Sequence, residues 1–227
     1  MCGRFTLRTP TESIVDLFSG IDIPPLPPNY NVAPTQSVAT IRNYHDQREF
    51  AWLHWGLIPF WATDRKIGSR MINARSETVR EKPAFRAAFQ KRRCLVLADG
   101  FYEWKATPDG KQPMYVTMRD DGPFCMAGLW ESNRKLDEPV QSCTIITTDA
   151  NPLMAPIHDR MPVILPRDAW ESWLDPGFED ADWLEKQLQP CDSDQMSVRP
   201  VSRNVNKVAY NQPDCIEPVA IQAELDF

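Results

Sequence analysis

Cysteine at position 2, directly after Met1, offers the most distinctive chemistry in this chain of 227 residues. Removal of Met1 would leave a primary amine and a thiol on adjacent carbons. Such an aminothiol condenses with aldehydes. The amine, with an ordinary pKa of about 7.7–8.0, attacks the carbonyl to give an imine, and the thiol closes onto it as a five-membered thiazolidine. Both nucleophiles sit on one residue, so the closure is intramolecular and fast. An internal cysteine cannot do this. Cysteine is small enough at position 2 for ordinary methionine removal, and the active form is expected to start at Cys2. On residue type alone, Cys2 fits a small side chain buried in an apolar pocket equally well.

Other polar residues stand where a strand pattern wants apolar ones. Asn73, Arg75 and Glu77 alternate in Ile72-Asn73-Ala74-Arg75-Ser76-Glu77-Thr78 and share one face if that stretch is extended. Glu103 is flanked by Phe101, Tyr102 and Trp104, surroundings that raise a carboxyl pKa by desolvation and suit a general acid. A salt bridge to Lys105 or to an arginine is the alternative. His158 precedes Asp159, an acid able to fix its tautomer, and a satisfied structural histidine is the alternative there. His45 and His54 have weaker contexts and read as structural.

Charge is unevenly distributed. The net charge is −6, yet residues 65–93 hold ten basic side chains against Glu77 and Glu81, a segment of +8 in a remainder of −14. Residues 168–194 hold nine acids and one lysine. A local basic cluster on an acidic protein is a footprint for phosphates, although such a run alone also fits a solvated amphipathic face. Six widely spaced cysteines with no CxxC pair, and no secretory signal, point to a reducing cytosol or nucleus. Neither a metal nor a cofactor is implied. No apolar run approaches the roughly 20 residues of a membrane span.

The elements that must position these residues are short. Thr9-Pro10-Thr11-Glu12 reads as a capping box opening a helix that stops at Gly20. Strands are predicted at 38–42, 50–58, 94–98, 101–105, 114–118, 124–130, 143–147 and 196–202, and helices at 83–90, 167–174 and 180–188. Pro108-Asp109-Gly110 and Asp120-Asp121-Gly122 mark turns of a meander. The fold class is α+β, a largely antiparallel, barrel-like sheet with peripheral helices. The pattern shows no internal boundary, so one domain spans 1–227, with an acidic, flexible end over about 216–227.

Six motifs occur in order: Met1-Cys2-Gly3-Arg4-Phe5, Tyr30-Asn31-Val32-Ala33-Pro34, Trp55-Gly56-Leu57-Ile58-Pro59, Ile72 to Thr78, Asp99-Gly100-Phe101-Tyr102-Glu103-Trp104 and His158-Asp159-Arg160-Met161-Pro162. Together, from residue 2 to about Asn206, they resemble the SRAP (SOS-response-associated peptidase) family. Its members shield abasic sites in single-stranded DNA by crosslinking to them. The resemblance implies that Cys2 captures the ring-opened aldehyde, that Glu103 and His158 manage the protons, and that Asn73 holds the sugar oxygen or the Cys2 backbone. Arg4 is expected to lower the amine and thiol pKa values.

The partner implied is single-stranded DNA with abasic sites, including single/double-strand junctions. Arg4, Asn31, Pro34, Arg75, Arg80, Arg86 and Arg160 are the candidates for contacting it, with Phe60, Trp61 and Trp104 for stacking or wedging bases. Trp55 is expected in the core and Phe60-Trp61 on the surface. A monomer is expected, cytoplasmic and nucleoid-associated in a bacterium or nuclear in a eukaryote. Two other classes fit the opening residues: an N-terminal-nucleophile hydrolase or amidotransferase, and a non-covalent single-strand-binding module. The motifs of glutamine amidotransferases downstream of Met-Cys-Gly are not found here.

Overall fold

The computed structural model describes residues 2–220. Its strands are β1 (Phe5–Leu7), β2 (Asn29–Val32), β3 (Ser37–Tyr44), β4 (Gln47–Trp55), β5 (Asn73–Arg75), β6 (Arg93–Ala98), β7 (Gly100–Thr107), β8 (Gly110–Met118), β9 (Phe124–Asn133), β10 (Val140–Asp149), β11 (Arg160–Pro162) and β12 (Met196–Pro200). Short helices α1 (Thr11–Leu17), α2 (Arg86–Lys91), α3 (Trp170–Leu174) and α4 (Ala181–Lys186) lie between them. One sheet has the order β12-β8-β7-β1-β2. The other runs β11-β10-β4-β3-β6-β9, and β9 also pairs with β10, so five of its strands close into a ring. The expected barrel-like α+β architecture is the one found, with β4 and β5 both parallel to β10 as its departures from antiparallel pairing.

Alternation along the central strands builds two cores, because successive side chains of a strand point to opposite faces. Leu95 and Leu97 of β6, Cys125, Ala127 and Leu129 of β9, and Ile146 of β10 pack with Ile14, Phe18, Phe89, Trp173 and Leu184 from the helices. Cys94, Val96, Ala98, Met126, Cys143 and Ile145 pack instead with Phe5, Phe101 and Val116 of the first sheet. The ring is therefore sandwiched between a helical layer and a second sheet, and Cys2 belongs to the second core.

Several local expectations are corrected. The capping box does not form. Pro10 is the N-cap of α1, with no side-chain cap, because the Thr9 amide and hydroxyl both donate to Asp99 Oδ2, at 2.7 and 2.8 Å. The helix stops at Leu17, three residues before Gly20 turns the chain at φ +83°. The strand expected over 50–58 ends at Trp55, where Gly56 takes φ +130°. Residues 216–220 are tied down in part: Ile216 O accepts from Arg199 Nε at 3.0 Å, and the Val219 amide donates to Pro200 O at 3.0 Å. The rest of the end expected to be flexible, 221–227, lies outside the described residues. Among those residues no helix is long and apolar enough to cross a membrane.

Candidate active site around Cys2

Strand β1 runs antiparallel between β2 and β7, with Phe5 opposite both Val32 and Phe101. Asp99 fixes it from below. Its Oδ2 accepts from the amides of Arg8 (2.5 Å) and Thr9 (2.7 Å), and its Oδ1 accepts from the Thr6 hydroxyl at 2.6 Å. The phenol of Tyr115 lies 2.8 Å from that hydroxyl, and burial pushes its pKa up to about 12. The Tyr102 amide donates to Arg4 O at 2.9 Å, so β7 carries Glu103 up beside the residues that follow Cys2.

Cys2 is wholly buried. Burial first, and the nearby Glu103 carboxylate second, push its thiol pKa well above the ordinary value. Arg4 does pull the thiol pKa down, through its backbone amide, but burial outweighs it. The Arg4 guanidinium is itself spent on Asn31 Oδ1 (2.6 Å) and Val205 O (2.8 Å), and burial pulls its own pKa down. Burial thus keeps the thiol neutral at rest.

Asn73 opens β5, opposite Ile145 of β10, and its Nδ2 donates to Cys2 O at 2.9 Å. Its Oδ1 is buried without a hydrogen-bond partner among the described residues. Glu103 is 2% exposed, and burial raises its pKa against the opposing pull of His158. His158 Nδ1 accepts from the Arg160 amide at 3.0 Å and lies 2.8 Å from Asp159 Oδ1. These two contacts ask opposite things of Nδ1, a lone pair for the amide and a proton for the carboxylate, so they hold the ring in place without fixing its tautomer. Arg4, Glu103, Trp104, Lys111, His158 and Asn206 line an open pocket of about 560 Å³. Lys111 and Asn206 were missed in the sequence, where neither stands out. Asn206 is placed by accepting from Trp104 Nε1 at 2.7 Å.

The remaining candidates divide by what their polar atoms already hold. Phe60 and Trp61 are 50% and 42% exposed on a turn gripped by Asn133 Nδ2, which donates to Pro59 O and Ala62 O at 2.7 and 2.8 Å. Trp55 is core, as expected, with Nε1 donating to Ile72 O at 2.9 Å. Pro34 and Trp104 are half-buried, and Arg75 and Arg86 are exposed.

Asn31, Arg80 and Arg160 are otherwise engaged. The buried Asn31 amide donates to Val205 O, Lys207 O and Tyr210 O at 3.2, 3.1 and 2.6 Å, clamping the C-terminal loop. Arg80 pairs with Asp182 (3.3 Å) and Glu185 (2.9 Å) of α4. Arg160, 8% exposed, donates to Glu77 Oε1 at 2.6 Å, Asp149 Oδ1 at 2.7 Å and Thr147 O at 2.6 Å. Only residues 73–75 are extended, and Glu77 sits in the following 3-10 turn, so it does not share the face with Asn73 and Arg75. Part of the basic segment is likewise consumed: Lys91 pairs with Glu179, and Arg93 is buried against the carbonyls of Phe89, Gln90 and Trp173. The acidic 168–194 stretch thus folds onto the basic one instead of leaving it bare.

Comparison with known proteins agrees with this arrangement. Residues 1–208 match the model of the SOS response associated peptidase (SRAP) family. Abasic site processing protein YoqW of Bacillus subtilis is 46% identical over 222 residues, covering 96% of this chain and 99% of its own length. Abasic site processing protein YedK of Escherichia coli is 30% identical, over 96% of this chain and 100% of its own. A crystal structure of a protein from Bacteroides thetaiotaomicron superposes with a TM-score of 0.85 at 28% identity, covering 96% of this chain and 100% of that one. A buried cysteine at position 2, held by Asn73 and close to Glu103, is thus set in a framework shared along nearly its whole length, and the chain belongs to the SRAP family.

Proposed function

We propose that this protein binds single-stranded DNA and captures the aldehyde of an abasic site through Cys2, as a thiazolidine crosslink that shields the lesion. The observation that carries the reading is a chain of neighbours: Asn73 holds the Cys2 carbonyl, Glu103 lies near the Cys2 thiol, and Glu103 and His158 both line an open pocket. The names of the relatives, abasic site processing proteins, support the substrate.

An abasic sugar exchanges between a closed hemiacetal and an open aldehyde. As the ring opens, the anomeric hydroxyl gives up a proton and the ring oxygen gains one, with His158 relaying it, so the step is neutral overall. The freed Cys2 amine, after Met1 removal by the protein itself or by another agent, adds to the carbonyl to give a carbinolamine. Glu103, protonated because it is buried, gives its proton to the departing hydroxyl, and water is lost as the imine forms. The Cys2 thiol then adds to the imine carbon, its proton passing to the nitrogen, so one water is released overall. Asn73 Oδ1 accepts a hydrogen bond from the amine or from a sugar hydroxyl. Arg75 and Arg86 offer phosphate contacts, and Phe60, Trp61 and Trp104 offer faces for bases.

Intact-mass measurement tests the reading. Purified protein is incubated with a single-stranded oligonucleotide carrying one abasic site, beside an undamaged strand and a Cys2→Ala variant. The expected product lacks Met1 and gains one oligonucleotide less one water, only with Cys2 and only with the lesion. A protein that has lost Met1 yet forms no adduct refutes aldehyde capture and favours the hydrolase class. Strand binding unaffected by Cys2→Ala, with no adduct in either protein, favours a non-covalent module.

A further inference from the structure

A second pocket, of about 580 Å³, lies beyond the Phe60–Trp61 turn, lined by Trp52, His54, Arg65, Arg134 and Gln141 among others. Its lining includes no aspartate or glutamate, in a protein whose net charge is −6. Arg65 and Arg134 are exposed, and Trp52, at 47%, is as exposed as Phe60 and Trp61. None of these five belongs to the motifs quoted above, and none takes part in the reaction at Cys2.

Its walls are chain neighbours of the surface already offered to DNA. Thr35, which lines it, follows Pro34 and adopts φ +71°. Arg65 opens the 3-10 turn just after the Phe60–Trp61 turn, and Arg134 follows Asn133, which holds that turn by its carbonyls. Gln141 lies on β10 four residues before Ile145, the partner of Asn73, a separation of about 13 Å along the strand. The pocket is therefore near the reaction centre without being part of it.

We infer that this pocket is a subsite for the DNA strand running on from the lesion, with a base stacked on Trp52 and phosphates held by Arg65 and Arg134. The inference rests on the DNA-binding reading above. Guanidinium groups fit phosphate oxygens in paired geometry, and an exposed indole accepts any base. The arrangement therefore adds affinity without sequence preference, and it makes strand length beyond the lesion matter.

The test compares Trp52→Ala, Arg65→Ala/Arg134→Ala and Arg65→Lys/Arg134→Lys with the wild type, each checked for an unchanged melting temperature. Binding of a long undamaged single strand is titrated against salt by anisotropy. Capture of a trinucleotide with a central abasic site is timed separately. Long-strand affinity is expected to fall about tenfold in Trp52→Ala. In the double alanine variant the slope of log K against log salt is expected to flatten by about 0.7 per arginine removed. The lysine variant keeps the slope, and trinucleotide capture is unchanged throughout. Wild-type affinity and slope in the double alanine variant overturn the subsite, as does an equal loss with the trinucleotide. A duplex of the same length, titrated in parallel, that loses affinity while the single strand does not overturns the single-strand assignment. A wild type that binds the long strand but captures no lesion overturns the crosslinking reading and leaves the subsite standing.

Discussion

The side chain of Asn73 donates to the backbone carbonyl of Cys2 at 2.9 Å, across seventy-one residues of sequence. Asn73 is itself fixed by the parallel pairing of β5 with β10, so the ring-forming sheet holds the backbone of the proposed nucleophile. Losing this bond costs about 0.5–1.5 kcal/mol, and Asn73→Ala is expected to slow single-turnover capture by up to about tenfold. Asn73→Asp sets an acceptor against the Cys2 carbonyl and is expected to slow it further. Capture at the wild-type rate in Asn73→Asp would show that the contact does not position the nucleophile.

Glu103 supplies a pH signature. Burial raises its pKa, so the folded state holds the proton more tightly than the unfolded chain, whose carboxyl titrates near 4.3. Stability is then lost as pH rises from that value through the raised one. Glu103→Gln is expected to raise the melting temperature at neutral pH, by roughly 2–4 °C for each kcal/mol recovered, and to leave it unchanged at pH values below the ordinary carboxyl range. Capture moves the other way: the wild-type rate declines as pH rises through the Glu103 pKa, and the variant is slow with that limb absent. A variant that is both less stable at neutral pH and equally fast would remove Glu103 from the proton path.

Arg160 and Arg75 separate positioning from DNA contact. Burial works against the charge on Glu77, yet the Arg160 guanidinium outweighs it and holds the carboxyl below its usual range. That pairing stabilises the fold above the ordinary carboxylate pKa and is lost as pH falls through the depressed one. Because the Arg160 amide also donates to His158 Nδ1, the same residue orients the histidine. Arg75→Ala is expected to flatten the salt slope of single-strand binding by about 0.7 with little change in melting temperature. Arg160→Lys is expected to lower the melting temperature and slow capture while leaving the salt slope intact. A flattened slope in Arg160→Lys would instead return this arginine to the phosphate surface.

What the sequence disclosed and what it hid follow from the range of the interactions. Cys2, Glu103 and His158 could be singled out as candidates because their chemistry depends on residue type and immediate neighbours. Trp55 and the Phe60–Trp61 pair sorted correctly into core and surface, since Pro59 separates the pair from the strand, although the strand's end at Gly56 was not read. Partners distant in the chain were not legible. Arg160 looks like a free cation until Glu77, 83 residues away, meets it, and Asn31 looks exposed until the carbonyls around Val205 fold over it. The failed capping box has the same origin: Thr9 has the right type and spacing, and Asp99, ninety residues on, takes both its donors. Ring closure by β9 and β10 is a matter of long-range register, which alternation within a strand does not encode.

Gly56 carries the last expectation. At φ +130° it occupies a region that L side chains rarely enter, and a Cβ there would stand 2.6 Å from the carbonyl oxygen of Gly68. The reverse is also true, with a Cβ on Gly68 2.7 Å from Gly56 O, so the two backbones touch face to face. That contact seats the 3-10 turn Arg65–Arg70 against the end of β4, and the Phe60–Trp61 turn lies between them. Neither obstacle is a flexible side-chain end, so Gly56→Ala must displace backbone, at a cost of about 1–3 kcal/mol for the strained conformation alone. The expected result is a melting temperature several degrees lower, about 2–4 °C per kcal/mol, and weaker single-strand binding as the turn shifts. Gly20→Ala is the control, because it shares a positive φ (+83°) but has nothing within 4 Å of a Cβ. It is expected to cost stability without altering binding. Equal binding losses in the two variants would mean that Gly56 acts through general destabilisation, not through the placement of Phe60 and Trp61.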